Sequence, residues 1–277
     1  MKRLLVIILF CIFIIHKDIV VISALEGLNI WIYKLFPLLL PTFILSDLVL
    51  STDLIDILVK RFGDIYKKIF KNNKIGLFIF LISILSGTPN NAKVLSELEK
   101  NNILNDSEIN KVLCSSIMFN PLLIISIGGI KLLFILIISN IITGIMLRNI
   151  KVIDSNTDYK IKYKFDINDS ISKSINILIN ILGTIVFYSV IINLIPFNNL
   201  YLKLFSNILF ELSNALNFNS MFFNNSLIVS GIIFSFGGLS IFTQIKSILK
   251  DTFIDFNLLI KSRLICTCIC VIICWFT

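Results

Sequence analysis

Apolar runs long enough to span a membrane alternate along the chain with apolar runs that stop early. The first complete run opens the chain as MKRLLVIILFCIFII. Others are Ala24 to Ser51, Ile175 to Ile195 and Asn257 to Phe276. A bilayer core is about 30 Å thick and a helix rises about 1.5 Å per residue, so about 20 apolar residues cross it. The pattern therefore predicts several membrane-spanning α-helices.

Two further apolar runs are too short to cross a bilayer. Ile75 to Gly87 reads IGLFIFLISILSG and is followed by TPNNAK, while Ser226 to Phe236 reads SLIVSGIIFSF and is followed by GGLSIFTQIKSIL. The thirteen residues of the first run would cover only about 20 Å as a helix. Polar backbone is tolerated at membrane depth where it faces protein or a water-filled cavity. Each run therefore predicts a broken or re-entrant helix.

The two breaks occupy matching places in the two halves of the chain, because setting Gly87 on Gly238 also sets Lys93 on Gln244. The halves differ in charge: residues 53–74 carry six Lys or Arg, and residues 200–225 carry one. Basic residues collect on the cytoplasmic side, so these two stretches should face opposite sides. Inverted repeats with interrupted segments are typical of secondary transporters. We therefore expect an all-α polytopic integral membrane protein made of two inverted repeats with broken or re-entrant helices.

This organisation divides the chain into four parts. We expect an N-terminal transmembrane helix at residues 1–23, a first repeat at 24–147, a cytoplasmic linker at 148–173 and a second repeat at 174–277. The first run could also be a signal peptide with Lys2 and Arg3 at its basic end. Because no small-x-small cleavage site follows it, an uncleaved span with a cytoplasmic N-terminus is the preferred interpretation.

Composition narrows the class of protein. Of the 277 residues, 56% are hydrophobic and 15% charged, which indicates a polytopic membrane protein. The net charge of +8 is interpreted as a topology signal, since no nucleic-acid-binding motif contains the basic residues. The chain has one His, and it contains neither a nucleophile elbow nor a phosphate loop. We therefore expect no enzymatic activity and no cofactor. Cys266, Cys270 and Cys274 share a helix face, where packing is expected rather than a soft-metal site, because no His or Asp cluster joins them.

The first break carries the chemistry of an anion site. Thr88 can cap a helix that starts at Pro89, and the free N–H groups of such a helix start favour an anion. Lys93 adds a full positive charge one turn later. An intramembrane Lys costs about 2.5–3.5 kcal/mol on insertion scales, so it usually has a partner or a role. The alternative is that Lys93 extends to the cytoplasmic interface and has no other function.

The second break offers neutral donors in the corresponding place. One charged and one neutral break suit a small organic anion better than a cation. Glu211 is the single acid of its region, and it could couple transport to protons, pair with a Lys or have no role. The predicted substrate site contains Ser86, Gly87, Thr88, Pro89, Asn91, Lys93, Asn120, Gly238, Ser240, Thr243 and Gln244.

Five segments together carry a resemblance to a known family: EGLNIWIYKLFPLLLPTFILSDLV, SGTPNNAKVLSEL, FNPLLIISIGG, LFELSNAL and GGLSIFTQIKSIL. In this order they resemble the sporulation integral membrane protein YlbJ family, whose members carry a nucleoside-recognition or Gate domain. The family's S-G-x-P-x-x-A-K element is present at Ser86 to Lys93. Asn90 and Asn91 depart from the smaller or more apolar residues expected there.

The resemblance implies a transporter of dipicolinate in the outer membrane around the forespore, needed for maturation of the spore cortex and core. Dipicolinate is a small aromatic dianion, in agreement with an anion site. The expected partners are this small organic anion and the lipid bilayer, with no nucleic acid, and the oligomeric state stays open. Two other functions stay open as well: a non-transporting assembly factor for the spore envelope, and a nucleoside permease.

Overall fold

The computed structural model describes residues 2–153 and 165–277, and within them the chain is helical with no β-strand. The prediction of an all-α polytopic membrane protein is confirmed. Among the described residues, five helical runs are long and apolar enough to cross a bilayer: Lys17–Leu50, Pro121–Met146, Ile167–Leu194, Leu227–Ile248 and Phe256–Trp275.

Fourteen α-helices lie within the described ranges. In chain order they are α1 (Lys2–Ile15), α2 (Lys17–Ile30), α3 (Phe36–Leu50), α4 (Leu54–Phe70), α5 (Gly76–Leu85), α6 (Asn90–Lys100), α7 (Asp106–Ser116), α8 (Pro121–Met146), α9 (Ile167–Leu194), α10 (Leu200–Phe210), α11 (Leu212–Phe222), α12 (Leu227–Phe236), α13 (Gly238–Ile248) and α14 (Phe256–Trp275).

The first long span is built from α2, α3 and a π-helical turn at Trp31–Leu35 that joins them. It packs along α9, where the indole Nε1 of Trp31 donates to the carbonyl oxygen of Leu178 at 2.9 Å. The expected boundary between residues 23 and 24 falls inside α2. Residues 2–15 form the separate helix α1, which is shorter than a span.

The two ends of the bundle are identified by contacts between distant segments. At one end the start of α7 meets the beginning of the linker and the turn before α14, since Asn105 donates to the Ile153 carbonyl and Asn110 to the Phe253 carbonyl. This is called the linker end. At the opposite end, called the far end, Lys131 Nζ donates to the Thr277 carbonyl at 2.5 Å.

Helix α8 changes direction at Gly129, whose φ of 70° and ψ of −177° are not helical. An L-residue is strained at this positive φ, whereas glycine has no Cβ to clash. The bend separates a short N-terminal helix, residues 121–128, from the span formed by residues 130–146. The short piece therefore starts inside the bundle at Pro121, reaches the far end, and the chain then returns to the linker end.

The stretch from Leu200 to Asn217 is divided in the structure. Helix α10 ends at Phe210, Glu211 is extended with φ −149° and ψ 123°, and α11 begins at Leu212. Glu211 is only 2% exposed. The extended backbone at Glu211 gives the second half a further interruption besides the one at Gly237.

The two ends should face opposite sides of the membrane, with the linker end in the cytoplasm. Exposed Lys68 lies on the basic helix α4, and Met221 is 66% exposed at the end of α11. In a background without the six native cysteines, Met221→Cys should react with an impermeant thiol reagent added to intact cells. Lys68→Cys should react only after permeabilisation, because basic segments stay inside. The reverse pattern would refute this topology.

Candidate functional site

Four helices begin at one cavity in the interior of the bundle. Each is the second helix of an interrupted pair: α6 after α5, α8 after α7, α11 after α10 and α13 after α12. Helices α3 and α9 complete the walls. The central cavity is lined by Leu35, Leu39, Thr88, Pro89, Phe119, Asn120, Leu123, Ile181, Ile185, Glu211, Leu212, Ser213, Ser240, Ile241 and Gln244.

The first break is fixed against the turn between α7 and α8. Gly87 has φ 80°, and a Cβ there would lie 2.5 Å from the backbone nitrogen of Asn120. The backbone N–H of Thr88 donates to the carbonyl of Met118 at 2.5 Å. Glycine is therefore required for two reasons, the left-handed backbone and the close approach of another main chain. Two interrupted pairs are joined through their backbones at this point.

Phe119 connects the first break to the second. Its backbone carbon would be 2.6 Å from a Cβ at Gly87, and its ring would be 3.3 Å from a Cβ at Gly237. The ring also packs on Phe234 of α12, with centroids 5.7 Å apart. Gly237 and Gly238 both have positive φ, 85° and 79°. The structure thus places the two breaks that were recognised in the sequence against one cavity.

Two hydroxyl groups on the cavity walls make no hydrogen bond within the described part of the chain. They are Thr88 Oγ1 from the first break and Ser240 Oγ from the second, and both are buried. Thr88 was expected to cap α6, but the helix starts at Asn90 with Pro89 at its N-cap and no side-chain cap. A buried polar group without a partner costs about 1–3 kcal/mol. Both hydroxyls are therefore available to a bound solute.

Glu211 is the ionisable side chain among the cavity walls, and it caps α11. Its Oε2 accepts a hydrogen bond from the backbone N–H of Asn214 at 2.7 Å. A carboxylate is favoured at a helix start because it meets free N–H groups and the positive end of the helix dipole. Glu211 is recognisable in the sequence as a lone acid, but its capping role is not, because Glu is infrequent as an N-cap residue.

The four helix starts contribute partial positive charge around the cavity, and the Glu211 carboxylate offsets part of it. The macrodipole of a helix is equivalent to about half a positive charge at its N-terminus. Asn120 caps α8 by accepting from the N–H of Leu122 at 2.9 Å, and Glu211 caps α11. Helices α6 and α13 start without a side-chain cap. Lys93 does not contribute to the charge at the cavity walls, because it is not among the residues that line it.

Lys93 is paired within the protein, which the sequence analysis did not foresee. Its Nζ donates to both carboxylate oxygens of Asp47, at 2.7 and 2.6 Å, and Ser170 Oγ donates to Asp47 Oδ2 at 2.6 Å. The Lys93 and Asp47 side chains are each 7% exposed. Lys93 therefore neither extends to the interface nor supplies a free charge, and it is not a wall of the cavity. A buried ammonium needs a counter-ion, because its desolvation costs several kcal/mol.

The other predicted residues divide into two groups. The structure brings Thr88, Pro89, Asn120, Ser240 and Gln244 to the cavity, and Gln244 Nε2 donates there to Thr184 at 2.7 Å. Gly87 and Gly238 supply backbone next to it.

The remaining three predicted residues, Ser86, Asn91 and Thr243, lie outside the cavity lining. Ser86 bonds to the Ile82 carbonyl, and Asn91 donates to the Ser116 carbonyl at 2.6 Å, so both hold the break to α5 and α7. Thr243 is exposed on the outer side of α13.

Arg263 is a second buried charge that the sequence analysis missed. It is 0% exposed in α14 and donates to the carbonyls of Cys114 and Ile117, at 2.5 and 3.1 Å, and to Asn140 at 3.1 Å. These carbonyls end α7, where a cation is favoured by the helix dipole. Arg263 therefore fixes the end of α7 just before the turn that supports both breaks. The sequence feature that could have identified this residue is an Arg within the last apolar run.

The central cavity opens towards the far end through a wider space, called the vestibule. They share the walls Leu35, Leu123 and Ser213, and the vestibule extends along α11 to Asn225. The volume accessible to water is about 40 Å³ in the cavity and about 400 Å³ in the vestibule. The cavity thus has room for two or three water molecules at about 10–15 Å³ each. Lys34 is the charged wall of the vestibule.

Comparison with known proteins gives one partial similarity. No family model matches the chain, and no solved structure matches it. The chain is 28% identical over 102 residues to the sporulation integral membrane protein YlbJ of Bacillus subtilis (strain 168). The matched stretch is 37% of this chain and 25% of that protein, so it spans a quarter of the relative's length. The chain is thus an integral membrane protein with a distant sporulation relative. The Gate domain stays a prediction.

Breaking the Lys93–Asp47 pair should destabilise the protein. Asp47→Asn leaves the buried ammonium without its counter-ion, and removing one partner of a buried pair costs about 3–5 kcal/mol. The double variant Asp47→Asn with Lys93→Met should recover much of this loss. The measurement is the unfolding free energy in detergent. The control is Asp64→Asn, which removes the exposed Lys74–Asp64 pair and should cost at most about 1 kcal/mol. Equal effects of Asp47→Asn and Asp64→Asn would contradict the assignment.

Proposed function

We propose that this protein is a secondary transporter of a small organic anion, bound in the central cavity. The observation that carries the proposal is the convergence of four interrupted helices on one cavity, with unpartnered hydroxyls on Thr88 and Ser240. Interrupted helices that meet inside a membrane protein are typical of transporter binding sites. A protein that only scaffolds other proteins has no need of unsatisfied polar groups at this depth, where they are unfavourable.

The charge distribution supports an anion as the substrate. A carboxylate must shed water to enter, and this is tolerable where fixed N–H and O–H donors replace that water. The uncapped start of α13, with the hydroxyls of Thr88 and Ser240, offers such donors. Lys34 at the vestibule wall attracts an anion before it enters. The donors of the cavity thus take the role that the sequence analysis gave to Lys93.

Dipicolinate is the proposed substrate, and the outer forespore membrane is the proposed location. Both proposals rest on the resemblance to the YlbJ family, together with a relative whose name refers to sporulation. The space of about 40 Å³ is too small for an aromatic dicarboxylate. Binding must therefore widen the cavity by movement of the helices around it. The second candidate is a nucleoside permease, which is favoured by the neutral polar walls Asn120 and Gln244.

Glu211 is proposed to couple transport to protons. A substrate carboxylate in the cavity would lie close to the Glu211 carboxylate, and like charges in a poorly solvated space repel strongly. Among the described residues, no other residue that lines the cavity is ionisable. A proton bound by Glu211 removes this repulsion, so an anion and a proton would enter together.

Removal of the two free hydroxyls should weaken transport. Purified protein in liposomes is supplied with labelled dipicolinate, and separately with labelled nucleosides. A hydrogen bond to a charged group is worth roughly 1.5–3 kcal/mol. Thr88→Val and Ser240→Ala should therefore each raise the KM for the transported solute by about 10- to 150-fold.

The control for these variants is Thr243→Val, since the structure places Thr243 on the outer side of α13 and away from the cavity. It should transport as the wild type does. No uptake of dipicolinate or nucleosides by correctly inserted wild type would favour the assembly factor. Uptake that is unaffected by Thr88→Val and Ser240→Ala would place the site elsewhere.

Replacement of Glu211 should remove the dependence on a proton gradient. Glu211→Gln keeps the shape and an oxygen that can accept from the Asn214 N–H. With one coupled proton, a gradient of one pH unit supports about tenfold accumulation. Wild type should show this accumulation, whereas Glu211→Gln should only equilibrate the substrate across the membrane. Equal accumulation by both proteins would exclude Glu211 as the coupling group.

A further inference from the structure

Three helices run from the central cavity to the linker end, and their facing residues form three parallel rows. On α3 the row steps from Leu39 through Phe43 to Asp47, and on α6 from Pro89 to Lys93. Residues three or four apart share a helix face, so each row keeps to one side of its helix. The cavity is at one end of these rows.

The third row lies on α9 and runs in the opposite chain direction. It starts at Ile181 on the cavity wall, passes Ser174 and ends at Ser170. All three rows end at the same contact, in which Lys93 Nζ and Ser170 Oγ both donate to Asp47. This contact is called the charged triad. It joins α3, α6 and α9 on the linker-end side of the cavity.

A small pocket lies on the outer side of the charged triad. It is lined by Asp47 and Ser170, and by residues at the start of α9 and the outer turn of α6. Its space of about 20 Å³ holds one or two water molecules. At its rim Lys173 lies 3.6 Å from Glu97 and 2.8 Å from Asp169. The triad thus lies between two spaces, the cavity inside and this pocket at the linker end.

The stretch between the cavity and the charged triad contains polar atoms without partners. Ser174 Oγ on α9 and Asn90 Oδ1 on α6 are buried and make no hydrogen bond to the described residues. The amide nitrogen of Asn90 donates to Ser46 and Ser86. An apolar core would serve better if this stretch were only packing, because unpartnered polar groups are unfavourable. The polar atoms between the cavity and the charged triad are suited to a passage that fills with water when it opens.

We propose that the charged triad of Asp47, Lys93 and Ser170 is the gate that closes the substrate route at the linker end. The vestibule leaves the opposite end accessible, so this structure is closed at one end and open at the other. Opening the linker end requires Asp47 on α3 to separate from Lys93 on α6. This deepens the proposed transport function and rests on it for the identity of the solute.

An ion pair is suited to such a gate. When closed, the pair excludes water from the contact, with both side chains 7% exposed. When open, each charge is hydrated, and this recovers much of the desolvation that burial had cost. The open and closed arrangements can therefore be close in free energy. A purely apolar contact would favour the closed arrangement alone, because opening would expose apolar surface to water.

The gate can be tested without any substrate. The probe is Ile181→Cys on the cavity wall, in a background that lacks the six native cysteines. A small impermeant thiol reagent is added either to the linker end or to the far end, using membrane vesicles of defined orientation. In the parent protein the cysteine should react from the far end and be protected from the linker end.

Neutralising the pair should open the linker end. The double variant Asp47→Asn with Lys93→Met leaves no buried charge unpaired, so it is expected to fold. Its Ile181→Cys probe should react from the linker end about tenfold faster, which corresponds to 1.4 kcal/mol of lost gate closure. The exchanged pair Asp47→Lys with Lys93→Asp should restore protection if charge attraction holds the gate.

Two controls make the result decisive. Asp64→Asn with Lys74→Met neutralises an exposed ion pair, in which the Lys74 side chain is 48% exposed and the Asp64 side chain 75%. This double variant should leave labelling unchanged. An exposed cysteine at Lys68 reports correct insertion of every variant. Unchanged linker-end labelling in a correctly inserted Asp47→Asn, Lys93→Met protein would overturn the gate. A faster reaction without uptake of dipicolinate or nucleosides would support the gate while the proposed transport function fails.

Discussion

The hydrogen bond from the Thr88 N–H to the Met118 carbonyl, 2.5 Å long, joins two interrupted helix pairs at the centre of the protein. An interrupted helix leaves N–H and C=O groups without partners, and a bilayer offers no water to satisfy them. Here the breaks satisfy one another. Gly87 allows the two main chains to approach closely, and the Phe119 ring packs against Gly237 of the second break. Arg263 donates hydrogen bonds to the carbonyls at the end of α7. The central cavity exists because these breaks meet.

The buried charges follow the same constraint. Asp47 and Lys93 are both buried, and each is tolerated because the other is 2.6 Å away. Arg263 has no carboxylate partner among the described residues and binds helix-end carbonyls instead. The Arg263 contacts use carbonyl groups that the end of α7 makes available, whereas the Asp47–Lys93 pair is formed between side chains.

Much of the fold could be predicted from the sequence, because spans and short apolar runs are local patterns. The breaks at Gly87 and Gly237, the turn before Pro121 and the last span were all visible in this way. The partner of Lys93 was not visible, since Asp47 lies 46 residues away and nothing local connects them. Pairing across a bundle depends on how the helices pack, which a single sequence does not display.

The same distinction explains which site residues were found. Thr88, Ser240 and Gln244 were selected because they follow a break, and breaks face the cavity. Thr243 follows the same break but is exposed, because one step along a helix rotates a side chain by about 100°. Sequence locates the helix that carries a site, whereas packing decides which face is used. The proposed anion site does not depend on a free Lys93, since its proposed donors are the Thr88 and Ser240 hydroxyls and the N–H groups at the start of α13.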